Sequence, residues 1–438
     1  MADPVALIQL VSEQTMQNVV PVLAIKPARL IHLHTPPMAS RTNDIDKALR
    51  QAGVQAATLL HVLPVMPTIA EVAAATGEAI RSARDAGERP LVNLTGGTKL
   101  MSIGAFDAAR TAGVSSVYVD TGREQFIDGG TGAPIQSVLG PDLTFTPIKK
   151  QLKVNVIAVA NGLERVTNTK EWSRYVALAR HLLNAPGDED RCWRAMRGKD
   201  GLAGPTGEPR TWTGWIELSR TAFDLPDGVA QHAAEAGLVE PIGKQWKLPT
   251  PDVKKLRELA VTEQKEQRKL DGRMSEGERV NVTNHVRNLR KQLAGLIDST
   301  QLSLNLLSGG WLEVALADVA KESGRFEDLR WSARTGGRGW GEEEEQDLIG
   351  VQGAQLALFS CKRGGARAKL PSEMEIIQSR ARFVGGALTR RYLCVGRMTD
   401  DAALRSALQR RAAELGIGLI TAQMLRERLP FWEAGSEA

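Results

Sequence analysis

Acidic and lysine side chains spaced as in a hydrolytic site gather between residues 345 and 362. The stretch Glu345-Gln346-Asp347-Leu348-Ile349-Gly350-Val351 precedes Leu356-Ala357-Leu358-Phe359-Ser360-Cys361-Lys362. Apolar residues recur in both with period two or as a buried run, and Gln352-Gly353 supplies a turn, so the pair reads as a β-hairpin. Side chains alternate along a strand, which puts Glu345 and Asp347 on one face of the first strand and Ser360 and Lys362 on one face of the second. Acid and lysine then converge. A carboxylate at a strand end holds a hard divalent cation through oxygen, and a neighbouring ammonium orients water or offsets charge developing on a phosphate. A hairpin with a solvated acidic end and an unrelated lysine is the plain alternative.

The flanking elements must position these groups. Upstream, Gly309-Gly310-Trp311-Leu312-Glu313-Val314 opens a helix whose Leu312, Leu316, Val319 and Ala320 form one apolar stripe with Glu313 beside it. Downstream, residues 372–382 read as another helix, with Gln378 one turn after Glu375. Helix, acidic strand, lysine strand, helix is an αββα order. It resembles the PD-(D/E)xK nuclease superfamily, with Glu313, Asp347 and Lys362 matching its helix glutamate, strand aspartate and lysine. Ser360 departs from the pattern, standing where the second-strand glutamate usually lies, and serine is a poor metal ligand. Some restriction endonucleases of this superfamily carry Ser-x-Lys and borrow a carboxylate from the next helix. The resemblance therefore implies Glu375 as the migrated ligand, with Glu373 as second choice. It implies a catalytic set of Glu313, Asp347, Ser360, Lys362 and Glu375, with Mg²⁺ or Mn²⁺ held by Asp347, the Cys361 carbonyl and Glu375. A decayed, inactive site is the competing reading.

Residues 332–345 are rich in glycine and read as a mobile loop over the site, with Arg334 and Arg338 available for phosphates and Trp340 for stacking on an unpaired base. Arg363, Arg367 and Lys369 add positive charge where a nucleic-acid backbone would pass.

The N-terminal part reads differently. Apolar runs at 5–11, 28–34, 56–62, 90–94 and 115–120 alternate with helical segments, the pattern of a parallel sheet covered on both faces. Residues 124–138 read as an appended hairpin. In such sheets ligands sit beyond the strand C-termini. The loop Asn93-Leu94-Thr95-Gly96-Gly97-Thr98-Lys99-Leu100-Met101-Ser102 stands at one of these positions. Its two glycines permit close backbone approach, and free N–H groups at the helix start favour an anion, so a phosphate-bearing guest fits. The loop has neither the P-loop nor the dinucleotide fingerprint spacing. A purely structural Gly-Gly turn is the alternative. His32 and His34 share a strand face but have no third ligand nearby in sequence, and read as packing residues.

This loop resembles the ligand loop of CRISPR-associated Rossmann-fold (CARF) domains, and Ser12–Thr15 falls where that family has its other ligand loop. The resemblance covers residues 1–150. It implies dimerisation and binding of a cyclic oligoadenylate through Ser12, Gln14, Thr15, Thr35, Thr95, Gly96, Gly97, Thr98 and Lys99.

At 438 residues the chain is too long for one ordinary core. We expect a CARF sensor over 1–150, a linker and winged-helix-like spacer over 151–280, and a restriction-endonuclease-like domain over 281–438. Residues 151–168 are expected to lead out of the first domain, and 184–210, rich in Gly, Pro and charge, to form a mobile connection. In the winged-helix-like region the helix carrying Gln231, His232 and Glu235 is not basic, which favours a spacer over a DNA reader. The 56 basic and 51 acidic residues leave a net charge of +5, which permits nucleic-acid contact but does not describe a coating protein. Three cysteines, far apart and without a CxxC pair, argue against a disulfide framework and a zinc site, and suit a reducing cytoplasm. No apolar run approaches a membrane span.

Both resemblances occur in the order seen in CRISPR ancillary nucleases of the CARF plus PD-(D/E)xK type. They imply a homodimeric type III CRISPR antiviral effector, activated by cyclic oligoadenylate (the tetraadenylate first), that cleaves DNA or single-stranded RNA with Mg²⁺ or Mn²⁺. The rival reading is a non-catalytic, nucleotide-responsive DNA-binding regulator with a decayed nuclease fold.

Overall fold

The computed structural model describes residues 3–138, 143–168, 171–196, 211–272, 274–337, 344–364 and 370–428. The N-terminal unit runs β1 (Val5–Leu10), α1 (Met16–Ile25), β2 (Arg29–His34), α2 (Ala39–Gln51), β3 (Ala57–Val62), α3 (Ile69–Asp85), β4 (Arg89–Asn93), α4 (Lys99–Thr111) and β5 (Ser116–Asp120). The hairpin β6 (Gln125–Asp128) and β7 (Pro134–Ile135) completes it. Strand order is β3-β2-β1-β4-β5-β6-β7, with the first five parallel. Strand β1 is buried at every position, as a strand covered on both faces must be. This is the Rossmann-like arrangement expected from the alternating pattern. The order reverses between β1 and β4, so the loops leaving those strands flank the crevice where an open parallel sheet takes its ligand.

A helical middle follows: α5 (Phe145–Lys149), α6 (Val154–Ala160), β8 (Leu163–Asn168), α7 (Val176–Asn184), α8 (Pro186–Met196), α9 (Trp212–Arg220) and α10 (Asp227–Glu235). The small hairpin β9 (Glu240–Ile242) and β10 (Gln245–Lys247) forms the wing, with Phe223 bridging to Trp246. Two long helices, α11 (Val253–Leu270) and α12 (Glu276–Asn305), lead to the last unit, the second started by a Ser275–Glu278 capping box.

That unit comprises α13 (Trp311–Glu322), β11 (Asp328–Gly337), β12 (Glu344–Gln352), β13 (Gln355–Gly364), α14 (Leu370–Gly385), β14 (Arg390–Arg397), α15 (Ala402–Glu414), β15 (Ile417–Thr421) and α16 (Ala422–Glu427). Its sheet runs β15-β14-β13-β12-β11-β8, antiparallel from β8 to β13 and parallel from β13 to β15. The two sheets share a core: Leu7, Val20 and Ile45 belong to the same apolar cluster as Ile157 on α6 and Ile349 and Leu358 on the second sheet. Helix α6 is buried at six of its seven positions and is the apolar bolt between them.

Three expectations are corrected. Residues 163–168, read as part of a linker, are the edge strand β8 of the second sheet, paired with β11. Residues 332–337, read as the start of a mobile loop, belong to β11, because pairing with β8 and β12 satisfies a backbone whose sequence is too glycine-rich to announce a strand. Residues 186–196, read as a mobile connection, form α8. Arg338, Trp340, Arg367 and Lys369, assigned to substrate contact, lie outside the described residues.

Candidate functional site

Strands β12 and β13 pair from Gln352↔Gln355 to Leu348↔Phe359 and then part. Beyond that point β12 continues against β11 as far as Glu344, and β13 continues against β14 as far as Gly364. Asp347 and Ser360 stand at the fork. The Asp347 carboxylate fills it: Oδ2 accepts from the Cys361 N–H at 2.6 Å and from the Ser360 hydroxyl at 3.2 Å. Both bonds fall on one oxygen, leaving the other for a further partner. Ser360 thus acts here as a donor that orients Asp347. The N–H and C=O of one strand residue leave on the same edge, so the Cys361 carbonyl also projects toward the fork, past the last β12 pair.

Ser332 lies opposite Asp347 on β11, between the pairs Trp331↔Leu348 and Ala333↔Gln346, and has a φ of 51°. A left-handed serine in a strand is a strained conformation of the kind that collects at functional sites. Its hydroxyl donates to Glu345. Glu313, in the first turn of α13, accepts from the Trp331 indole N–H at 2.8 Å.

Burial raises the Asp347 carboxyl above its ordinary range; Lys362, the Cys361 N–H and Ser360 oppose the shift, and Glu345 adds to it. Burial pushes the Cys361 thiol well up, with Cys394, Asp347 and Glu313 adding to the effect, so both carboxylates act on the same residue.

Helix α14 decides which carboxylate reaches the lysine. Its buried stripe, Leu370, Met374, Ile377, Ala381 and Val384, fixes its rotation. Glu373 then meets Lys362, with Oε2 3.4 Å from Nζ. Glu375 is turned away: it is exposed, pairs with Arg411 at 3.3 Å, and lines a different cavity together with Gln378. The second-choice residue of the sequence reading is therefore the one brought to the lysine strand, and the first choice is not. Arg363, assigned to a nucleic-acid backbone, is instead bound by Glu189 and by Asp190 at 2.7 Å on α8, and lies over the Trp193 ring at 4.2 Å. Among the described residues, no group of three or more His, Cys, Asp or Glu side chains converges as a metal site.

The second site lies at the β1/β4 crevice. Gly96 approaches β1 so closely that a Cβ there would sit 1.9 Å from the Leu10 carbonyl oxygen, and Gly97 has a φ of 74°. Both therefore require glycine. The loop is held by residues outside the sequence-derived set. Asn93 Oδ1 accepts from the Thr95 N–H and hydroxyl at 3.1 and 2.7 Å, and Ser102 donates to the Leu94 and Gly96 carbonyls. Asn18 donates to the Leu10 carbonyl. An asparagine two residues before a threonine, the spacing of an Asx-turn, was the available signal for the first of these.

Ser12, Gln14, Thr95 and Gly97 line one cavity of about 1240 Å³. Thr15 is fully buried beneath it, Thr98 caps α4 by accepting from the Met101 N–H, and Lys99 is exposed at the start of that helix. Thr35, Thr15, Gly96, Thr98 and Lys99 are not part of the cavity wall. The opposite wall, unforeseen from sequence, comes from α14 and the turn before β14.

A doubly wound parallel sheet with a glycine loop at its switch point is thus joined to a forked mixed sheet with an acid–lysine cluster. Residues 6–131 match the family model of the Card1 CARF domain, so the chain carries an N-terminal CARF domain. Over its whole length it has the fold of protein VC1899 from Vibrio cholerae, with a TM-score of 0.68, 12% identity and coverage of 99% of this chain and 98% of that one. Can2 from Sulfobacillus thermosulfidooxidans, solved in complex with cyclic tetra-adenylate, is similar at a TM-score of 0.64 and 14% identity, covering 99% and 100%. No curated protein matches the chain. No helix among the described residues is long and apolar enough to cross a membrane.

Proposed function

We propose that this protein is a metal-dependent nuclease switched on by cyclic oligoadenylate, tetraadenylate first, in type III CRISPR antiviral defence. The observation that carries the reading is the fork at Asp347 and Ser360, with Lys362 and Glu373 beside it, in a chain whose other sheet is a CARF domain. The domain division, a sensor over 1–150, a spacer and a nuclease unit, is kept as part of the proposal, with β8 contributed to the last unit.

The donors at the fork suit Mg²⁺ or Mn²⁺, which take hard oxygen ligands and need only one or two carboxylates when substrate phosphate and water complete the shell. Asp347 and the Cys361 carbonyl would hold such an ion, and Glu373 replaces Glu375 as the helix carboxylate at hand. When bound, the ion polarises the phosphate and lowers the pKa of the attacking water. Lys362 orients that water and offsets charge on the phosphate, Ser360 and the Cys361 N–H fix the Asp347 carboxylate, and Trp331 holds Glu313.

An apolar surface supports a homodimer of the CARF unit. Leu59, Leu60 and Val62 on the edge strand β3 are exposed, as are Val65 and Met66 beyond it and Leu100 and Ile103 on α4, with Met66 at 89%. Exposed apolar side chains of this number, with Leu100 and Ile103 on the helix that follows the ligand loop, are suited to contact with a second copy of the chain.

The test is incubation with supercoiled plasmid and with single-stranded RNA, with and without Mn²⁺ and cyclic tetraadenylate. Cutting is expected only with both additions. It should be abolished in Lys362→Ala with ligand binding intact, whereas Lys99→Ala should lose the stimulation and keep the unstimulated rate. Retardation of plasmid without cutting under every condition would replace the nuclease with the regulator.

A further inference from the structure

We propose that the C-terminal unit supplies the second wall of the nucleotide site, with Arg382, Thr389 and Arg391 binding phosphodiester oxygens of the ligand held by the CARF loops. The inference rests on the functional reading above and adds a second set of ligand-binding side chains to it. The cavity that begins at Ser12, Gln14, Thr95 and Gly97 is closed on its far side by Gln378, Arg382, Thr389 and Arg391.

Polar atoms on both walls lack a partner. Thr389 is 3% exposed, and its Oγ1 is buried without a hydrogen bond among the described residues; so are Arg391 Nε and, across the cavity, Ser12 Oγ. Buried donors left unpaired cost stability unless something meets them, and the residues that carry these three line one space. The charge of that space is positive where it is not already paired. Glu375 is engaged by Arg411, and Arg41 by Asp44 at 3.5 Å and the Asn161 carbonyl at 2.9 Å. Arg382 and Arg391 then face Glu13 alone among the acids lining the cavity. Guanidinium and hydroxyl donors around a large cavity suit a multiply charged phosphodiester with many acceptor oxygens.

This second wall explains how ligand reaches the fork. On α14, Gln378 and Arg382 face the cavity, while Glu373, on the same rigid element, meets Lys362. A ligand that touches both walls therefore also contacts the helix that carries Glu373, and it favours whichever placement of that helix it binds more tightly.

Calorimetric titration of the full chain with cyclic tetraadenylate tests the proposal. Arg391→Gln and Arg382→Gln should each weaken binding at least about tenfold and make the dependence of affinity on salt shallower than in the wild type, as when fewer ligand phosphates are neutralised by the protein. Arg382 is exposed, so that variant keeps its fold; thermal unfolding checks both. Wild-type affinity and salt dependence in both variants, with binding weakened in a Ser12→Ala, Gln14→Ala double variant on the CARF wall, would overturn the second wall and leave the functional reading standing. Failure of the wild type to bind any cyclic oligoadenylate would remove both.

Discussion

Asp347 shows how a single residue is loaded by its surroundings. Burial lifts its carboxyl above the ordinary range, so the fold favours the protonated form. That contribution is fully present below the ordinary carboxylate pKa of about 3.9 and disappears as pH rises through the raised value. Asp347→Asn keeps an oxygen for the Cys361 N–H but has no charge to bury. In metal-free buffer at neutral pH this variant should melt higher than the wild type, with the gain vanishing as pH falls toward the ordinary carboxylate range. Cleavage should be abolished at every pH. A variant that melts lower throughout would mean that the charge stabilises the site rather than strains it. In the wild type, divalent-ion binding should weaken as pH drops, because proton and cation compete for one carboxylate. The Asp347–Lys362 spacing was legible in the sequence because both lie on one hairpin. The identity of the third carboxylate was not, since Glu373 and Glu375 differ only by the rotation of α14, which is set by packing from residues that carry no chemistry.

At the scale of elements, Arg363 ties the second sheet to the helical middle, next to Arg397, which also donates to Asp190 at 2.7 Å. Arg363, at the end of β13, donates side-chain hydrogen bonds to both Glu189 and Asp190 and covers Trp193. Glu189 is itself buried. Arg363→Ala leaves that carboxylate without its partner, and we expect a destabilisation of about 3 kcal/mol in chemical denaturation, as for a broken buried pair. Pairing it with Glu189→Gln should recover a large part of that stability; no recovery would show that stacking on Trp193 carries the effect. The sequence reading places Arg363 on nucleic acid because a basic residue after a lysine strand has that use. Its actual partners lie 174 and 173 residues away, beyond the reach of any local pattern. Strands β8 and β11 escape a reading of the sequence for the same reason, since each is defined by its ladder partners rather than by its own alternation.

For the whole molecule, the shared core makes the sensor and the forked sheet one packed body rather than two beads on a string. Residues from β1, α6 and β12 belong to one cluster, so side chains of the two sheets pack directly on one another. Dimerisation is the remaining level. The double variant Leu60→Lys, Ile103→Glu puts charge on the exposed face, where the two residues are 55% and 51% accessible. Light scattering should then report a monomer, and the affinity for cyclic tetraadenylate should fall at least about tenfold, as the proposed sharing of one ligand site by two copies requires. A monomeric variant with undiminished affinity would locate the whole ligand site within one chain.

From its residues alone, the chain declared the alternation of strands and helices in the sensor, the glycine loop at its crevice, and the acid–lysine hairpin. These features are written in periods of two and 3.6 residues and in turn chemistry, which act between near neighbours. Folding in three dimensions chose Glu373 over Glu375, drew β8 into a sheet that begins far downstream, turned Arg363 toward α8, and set Thr389 and Arg391 across a cavity from Ser12. Each of those outcomes depends on burial and pairing between segments far apart in the chain or on the rotation of a helix about its own axis, and neither leaves a local mark in the sequence.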